Sequence, residues 1–295
     1  MLGKHINLVR EKQPLIHNIT NYVTVNDVAN IILAIGASPI MSDEPDDVGE
    51  ITSICNGLNI NIGTLNKRSI EAMFVAGKRA KELGHVVLLD PVGAGASSLR
   101  TDTALRILDE IHPDIIRGNI SEIKTLALGQ GSTKGVDADI ADTVTDDNLD
   151  SAVAFAKAFS KKTGSVIAIT GAIDLVSDAN TCYVIRNGHP AMSKITGTGC
   201  QLSGLTCAFA AASIVTSPVD NNLDDASSFA MDSCDKSELT ASVAAAVITM
   251  GLAGEIGYTH LAPYEGNSTY RNRIIDAVYH MDNETFEKGA RYEIK

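Results

Sequence analysis

Four short apolar runs rich in β-branched residues, "NINIG" (59–63), "HVVLLD" (85–90), "DIIRGN" (114–119) and "SVIAITG" (165–171), constrain this chain more than any other feature. Each reads as a buried strand. The gaps between them have helical period: residues 67–83 set Ile70, Phe74 and Ala80 on one flank with Lys and Arg opposite, and residues 148–161 repeat the pattern. A βαβα series of this kind predicts an α/β fold with a mainly parallel central sheet, helices on both faces, and ligands at the carboxyl ends of the strands.

The rhythm breaks at "DLVSDANTCYVIRNGHP" (174–190), two short β-rich runs about an Asp-Ala-Asn turn, which predicts an antiparallel hairpin at the sheet edge. A glycine turn, "KITGTGC" (194–200), follows, and then an almost uniformly small and apolar stretch that suits a helix buried on most sides. Residues 217–240 are acidic and loop-like, the best candidate for a surface insertion. Residues 241–257 and 267–281 read as two closing helices. With no internal repeat, the expectation is one domain over residues 1–295, carrying the acidic insertion at 217–240.

The chain has 295 residues, 44% of them hydrophobic and 20% charged, enough to bury a sizeable core. A formal net charge of −12 argues against nucleic acid and anionic membranes as partners, since either favours a basic face. The N-terminus lacks the apolar core of a signal peptide, and no stretch reaches the roughly 18 uncharged apolar residues of a membrane span. The expectation is a cytoplasmic protein that acts on small molecules. Five scattered cysteines, with no Cys-x-x-Cys pair, argue against disulfides and structural zinc. Cys207 reads as a small buried apolar residue.

Several sites could carry chemistry. The turn Thr196-Gly197-Thr198-Gly199-Cys200 lets backbone approach a ligand closely and leaves helix N–H groups free for an anion such as a phosphoryl group. A ligand-free strand-to-helix turn would look the same. Asp90 ends a strand before a Gly-rich loop, where it would serve as a metal-binding or catalytic carboxylate, or cap a turn. "LLDPVGAGASS" (88–98) is no dinucleotide fingerprint, because Pro91 intervenes and Ser98 stands where the third glycine belongs. "GQGSTKG" (129–135) lacks the residue order of a P-loop and reads as a surface loop. In "IIRGNISEI" (115–123), Asn119 and Glu122 fit a helix capping arrangement, whereas Arg117 is left over and suits a nucleotide phosphate. The polar residues His17, Asn18, Thr20 and Asn21 precede a helix ending near Gly36. With Met41 they would line a pocket for a partly apolar ligand, or else satisfy backbone at the helix start.

Taken in order and spacing, "HNITNYV", "GASPIM", "DPVGAG", "RGNISEI", "KGVDA", "ITG" and "TGTGC" closely resemble the hydroxyethylthiazole kinase family over about residues 10–215. The resemblance implies a ribokinase-like three-layer αβα sandwich and a homotrimer with active sites between subunits. It also implies phosphoryl transfer from ATP to the primary alcohol of 4-methyl-5-(2-hydroxyethyl)thiazole in thiamine salvage, with Mg2+ present. Carried over by residue, it implies that Met41, Asn21, Gly63 and Gly197 meet the thiazole, that Arg117, Thr170 and Asn119 hold ATP, and that Asp90 and Glu122 serve the metal. Gly197, Thr198, Gly199 and Cys200 would form the anion hole for the transferring group. "YEGNSTYRN" (264–272) matches the family's Gly-Pro-Gly-Ser-Phe segment only loosely, and 217–240 is longer than the family's link there.

In the wider superfamily the turn ends in Asp, read as the base for the acceptor hydroxyl, and here it ends in Cys200. A helix N-terminus lowers a thiol's pKa, and a nearby triphosphate opposes that. Cys200 is therefore expected to hydrogen-bond or weakly accept from the alcohol without becoming a covalent nucleophile. The competing readings are a kinase for another heteroaromatic alcohol such as a hydroxymethylpyrimidine, a non-catalytic nucleotide sensor, or a redox-responsive module built on Cys200.

Overall fold

The four apolar runs lie side by side at the centre of one sheet. The structure, a computed structural model, describes residues 1–129, 143–214 and 236–295. Its elements begin with α1 (Lys4–Lys12), β1 (Leu15–Ile19), α2 (Val25–Ile35), β2 (Ser38–Met41), α3 (Val48–Ile54) and β3 (Gly57–Asn61). They continue with α4 (Lys67–Glu82), β4 (Val86–Asp90), α5 (Ser98–Ile111), β5 (Ile115–Asn119), α6 (Ile120–Gly129), α7 (Leu149–Thr163) and β6 (Val166–Thr170). The last are β7 (Asp174–Ser177), β8 (Cys182–Ile185), α8 (Thr198–Ile214), α9 (Lys236–Thr259), α10 (Asn267–His280), α11 (Asn283–Gly289) and β9 (Tyr292–Ile294). The sheet order is β2-β1-β3-β4-β5-β6-β7-β8-β9, parallel from β2 to β6 and antiparallel thereafter.

The period of two along each strand divides the interior into two cores. Val86 and Leu88 of β4 face the layer built from α1, α2, α8, α9 and α10, while Val87 and Leu89 face the layer of α4, α5, α6 and α7. Ile115 and Ile116 of β5 divide in the same way, as do Val166 and Ile167 of β6. This is the expected three-layer arrangement. Helix α4 starts where expected because the Asn66 side chain accepts from the N–H groups of Arg68 and Ser69, and Ser69 Oγ accepts in return from the Asn66 N–H. Helix α2 stops at Gly36, whose φ of 100° suits glycine.

Helix α8 has no wet face from Cys200 to Ala212, because it lies between the sheet and helices α2 and α9. Helix α9 is long and apolar enough, by length and composition, to cross a membrane, yet 89% of its most apolar window is buried inside the protein. It is a core helix.

Several expectations need correction. The hairpin β7–β8 is not the sheet edge, since the C-terminal β9 pairs with β8 and covers it. Strand β3 starts two residues before the apolar run and ends at Asn61, so Gly63 lies just beyond it. Of the polar stretch, His17 and Asn18 lie in strand β1 and are satisfied within the fold, whereas Thr20 and Asn21 lie beyond it and Thr20 Oγ1 is buried without a partner. His17 Nδ1 pairs with Thr52 Oγ1 at 2.9 Å and Nε2 with the Ser42 carbonyl at 3.0 Å, and the Asn18 side chain meets Ile16 O and Asn59. Of the acidic stretch, residues 236–240 form the first turn of α9, and 217–235 lie outside the described residues. So do Cys234, "KGVDA" and all of "GQGSTKG" except Gly129.

Phe209, fully buried in α8 among the larger of the two cores, offers a test of this packing. Phe209→Ala is expected to lose roughly 3–5 kcal/mol of stability in urea unfolding, the cost of a large buried cavity.

Candidate active site

Strand β4 ends at Asp90, whose side chain has no exposure to solvent. Its Oδ2 accepts from Asn61 Nδ2 and from Ser203 Oγ, each at 2.7 Å, and Arg117 Nη1 stands 3.6 Å away. Its Oδ1 has no partner. Burial pushes the carboxyl up to about 6, against the pull of Arg117, Ser203 and Asn61. The turn-cap reading of Asp90 is therefore set aside, for its donors arrive from β3 and α8.

On the neighbouring strand β5, Arg117 is 9% exposed and donates from Nη2 to Thr170 Oγ1 at 2.7 Å across to β6. A Cβ on Gly199 would come within 2.8 Å of Arg117 Nη1. The glycine lets the guanidinium lie against the first turn of α8, where helix N–H groups and a fixed cation face the same space. Asn119 and Glu122 form the expected capping box: Asn119 Oδ1 accepts from the Glu122 N–H and Glu122 Oε2 from the Asn119 N–H, both at 2.9 Å. Glu122 does more than cap. Its Oε1 accepts from the Gly93 N–H at 2.8 Å and so ties the "DPVGAG" loop to the start of α6.

Cys200 sits in the first turn of α8, 7% exposed, with Asn61 Nδ2 donating to its sulfur at 3.3 Å. The helix N-terminus does not decide its charge. Burial, and then the Asp90 carboxylate, push the thiol's pKa up, outweighing hydrogen bonds from Thr24 and Asn61 and the charge of Arg117. Cys200 is a protonated thiol.

The residues matched to the alcohol pocket divide. Gly197 adopts φ 90°, and a Cβ there would stand 2.4 Å from Thr24 Cγ2, so the turn packs directly on the start of α2. Gly63 is just as close to the Asn21 side chain, and its N–H donates to Asn61 Oδ1 at 2.9 Å. Asn21, Gly63 and Gly197 thus gather around the same strand ends as Asn61. Met41 stands apart, at the end of the edge strand β2 opposite Asn18, partly buried against the core.

A cavity of about 580 Å3 opens beside this cluster, and its lining includes Arg117, Thr170, Thr198 and Gly199 together with Asn187 and His189. Asp174 also lines it. Partly open to the cavity yet crowded by protein, its carboxyl is pushed up to about 7 by burial, against the Gly171 N–H at 2.8 Å and Arg117. Sequence reasoning missed Asn61, Ser203 and Asp174. For Asn61 the signal was an amide at the carboxyl end of a buried strand, and for Ser203 its place one turn beyond Cys200. Asp174 had none, because it opens a hairpin.

A mainly parallel αβα sheet whose strand ends hold a carboxylate, a buried arginine and a glycine turn opening a helix has the architecture of the ribokinase-like class. The chain belongs to the hydroxyethylthiazole kinase family, whose model matches residues 6–238. It is 56% identical over 293 residues to a hydroxyethylthiazole kinase of Clostridium acetobutylicum, covering 99% of each chain. A solved hydroxyethylthiazole kinase of Pyrococcus horikoshii superposes with a TM-score of 0.81 at 31% identity, over 100% of this chain and 98% of the other. The pyridoxal kinase of Staphylococcus aureus, solved with AMP-PCP, shares the fold with a TM-score of 0.56 at 13% identity over 95% and 97% of the two chains.

Asp174 generates a pH prediction. Its folded pKa of about 7 lies above its unfolded value, so its contribution to stability is fully present at low pH and is lost as pH rises through 7. Asp174→Asn is expected to exceed the parent by about 1–2 kcal/mol at pH 8, a figure discounted for the open cavity. In denaturant titrations that gap should close as pH falls toward 4.

Proposed function

We propose that this protein transfers the γ-phosphoryl group of ATP to the primary alcohol of 4-methyl-5-(2-hydroxyethyl)thiazole, a step of thiamine salvage. The observation that carries the reading is family membership along nearly the whole chain, with Asp90, Arg117 and the glycine turn at one set of strand ends. Arg117 and Thr170 hold the phosphates, and the N–H groups at the start of α8, from Thr198 to Cys200, receive the transferring group. Asn119 borders this site through its capping box, its side chain already engaged with Glu122. Asn21, Gly63 and Gly197 position the alcohol.

Magnesium fits the donor set. The orphaned, buried Oδ1 of Asp90 and the Glu122 carboxylate are hard oxygen ligands, and no cluster of three or more His, Cys, Asp or Glu side chains exists among the described residues. Water and phosphate oxygens would complete the shell, as this cation prefers. The ion would neutralise charge on the β- and γ-phosphates.

Cys200 acts as a neutral hydrogen-bonding wall. Phosphoryl transfer through a loose transition state needs positioning and charge stabilisation more than a strong base. Asn61 donates both to its sulfur and to Asp90 and so holds the two groups together.

The assembly we infer is a homotrimer with active sites between subunits. Tyr22 and Val23, 74% and 60% exposed beside Asn21, support it, as does the unpaired edge strand β2 carrying Met41, which a neighbouring copy would bring to the alcohol site. The described cysteines Cys55, Cys182, Cys200 and Cys207 are free thiols, which suits the reducing cytoplasm. The second reading, a hydroxymethylpyrimidine kinase, is disfavoured by Cys200 where the superfamily carries Asp.

A panel of thiazole and pyrimidine alcohols offered with ATP decides between these readings. Turnover only with a pyrimidine alcohol, or with none, overturns the proposal. Cys200→Ala is expected to keep turnover within about tenfold of the parent and Cys200→Asp to exceed it, whereas a folded but inactive Ala variant would restore the case for an essential base. Arg117→Lys should lower kcat/KM by roughly 100-fold, because lysine cannot span Thr170 and the phosphoryl group together.

A further inference from the structure

One stretch of the cavity wall, residues 187–189, belongs to no strand or helix. Something else must hold its shape. Helix α9 runs beneath it with glycines at 251 and 254, three residues apart and so on one face. A Cβ on Gly251 would stand 2.7 Å from Asn187 Cβ and 2.8 Å from its carbonyl, and one on Gly254 would strike Met192. The wall therefore lies in a trench on α9.

The next residue of α9 latches it. Glu255 Oε1 accepts from the Gly188 N–H at 2.6 Å and from Asn187 Nδ2 at 3.4 Å. The same carboxylate takes a two-pronged pair from Arg291, Nη2 to Oε1 at 2.6 Å and Nη1 to Oε2 at 3.0 Å. Arg291, just before β9, also donates its N–H to Asn187 Oδ1 and its Nη2 to Arg186 O, both at 2.8 Å. Asn187 Nδ2 in turn donates to Gly289 O at 3.0 Å. Burial would raise the Glu255 pKa, but hydrogen bonds from Arg291 and Gly188 hold it below the usual range, so the latch is charged at neutral pH. With Arg291 half exposed, the pair adds little to global stability, while its forked geometry fixes direction.

We propose that Glu255 and Arg291 are positioning residues for the phosphoryl donor: they fix the Asn187–Gly188 wall so that the cavity keeps the shape that binds ATP. The segment leading into the C-terminal strand thereby sets donor affinity without touching the alcohol site. The inference rests on the reading of this cavity as the ATP site.

The test uses the full chain, titrating ATP calorimetrically in the presence of magnesium and measuring KM for both substrates. Glu255→Ala and Arg291→Ala are expected to raise Kd and KM for ATP by about tenfold and to leave KM for the thiazole alcohol unchanged, with Glu255→Gln in between because it keeps an acceptor for Gly188. Gly251→Ala, which displaces the wall and leaves the ion pair intact, should raise KM for ATP as well. If Glu255→Ala does not fold, the isosteric Glu255→Gln carries the test. An unchanged Kd for ATP, or an equal rise in both KM values, overturns the proposal while the kinase reading stands. Failure of the unaltered protein to bind ATP overturns both.

Discussion

The fold converges on one buried carboxylate. Asp90 is sealed from solvent where β3, β4, β5 and α8 meet, and a desolvated anion in such a place is tolerated only with donors and a cation at hand. Asn61, Ser203 and Arg117 supply them, each from a different element. Holding two donors and a cation around one oxygen requires β3 and β5 to flank β4 in register and α8 to lie across them. The electrostatic need and the sheet order are two views of one constraint. One oxygen of Asp90 remains without a hydrogen-bond partner.

Helix α8 connects this constraint to the chemistry. Its glycine turn is forced on two sides, by Thr24 against Gly197 and by Arg117 against Gly199. Small residues there allow the helix to bring Cys200 and Ser203 to Asp90 and still expose its first N–H groups to the cavity. The thiol is accommodated because burial and the neighbouring carboxylate both favour its neutral form. A second carboxylate in its place would face Asp90 directly and would depend on a bound cation for relief. The cysteine avoids that repulsion.

Legibility followed the range of the interactions. Helix α4 announced both ends, since Asn66 and the Lys/Arg flank act within a few residues. The capping box at Asn119 and Glu122 was equally local. Strand β1 was not legible as a strand, because His17 and Asn18 look like loop residues until Thr52, Ser42 and Asn59 arrive to satisfy them. Strand β9 is three residues long, and only pairing with β8 makes it a strand. Among the site residues, Asp90, Arg117 and the glycine turn stood out by their positions at strand and helix ends. Asn61 and Ser203 did not, because each has meaning only through Asp90, which is distant in sequence.

What the sequence determined by itself was the alternation of buried strands and amphipathic helices, hence the αβα architecture and the strand ends near which Asp90 and Arg117 lie. Periodicity and strand-end positions are properties of the covalent chain and survive without knowledge of contacts. The tertiary structure alone decided the protonation of Cys200, the double duty of Glu122 and the way Glu255 and Arg291 grip the cavity wall from opposite ends of the C-terminal region. Those depend on desolvation and on hydrogen bonds between residues far apart in the chain, quantities that exist only once the sheet has brought its strand ends together.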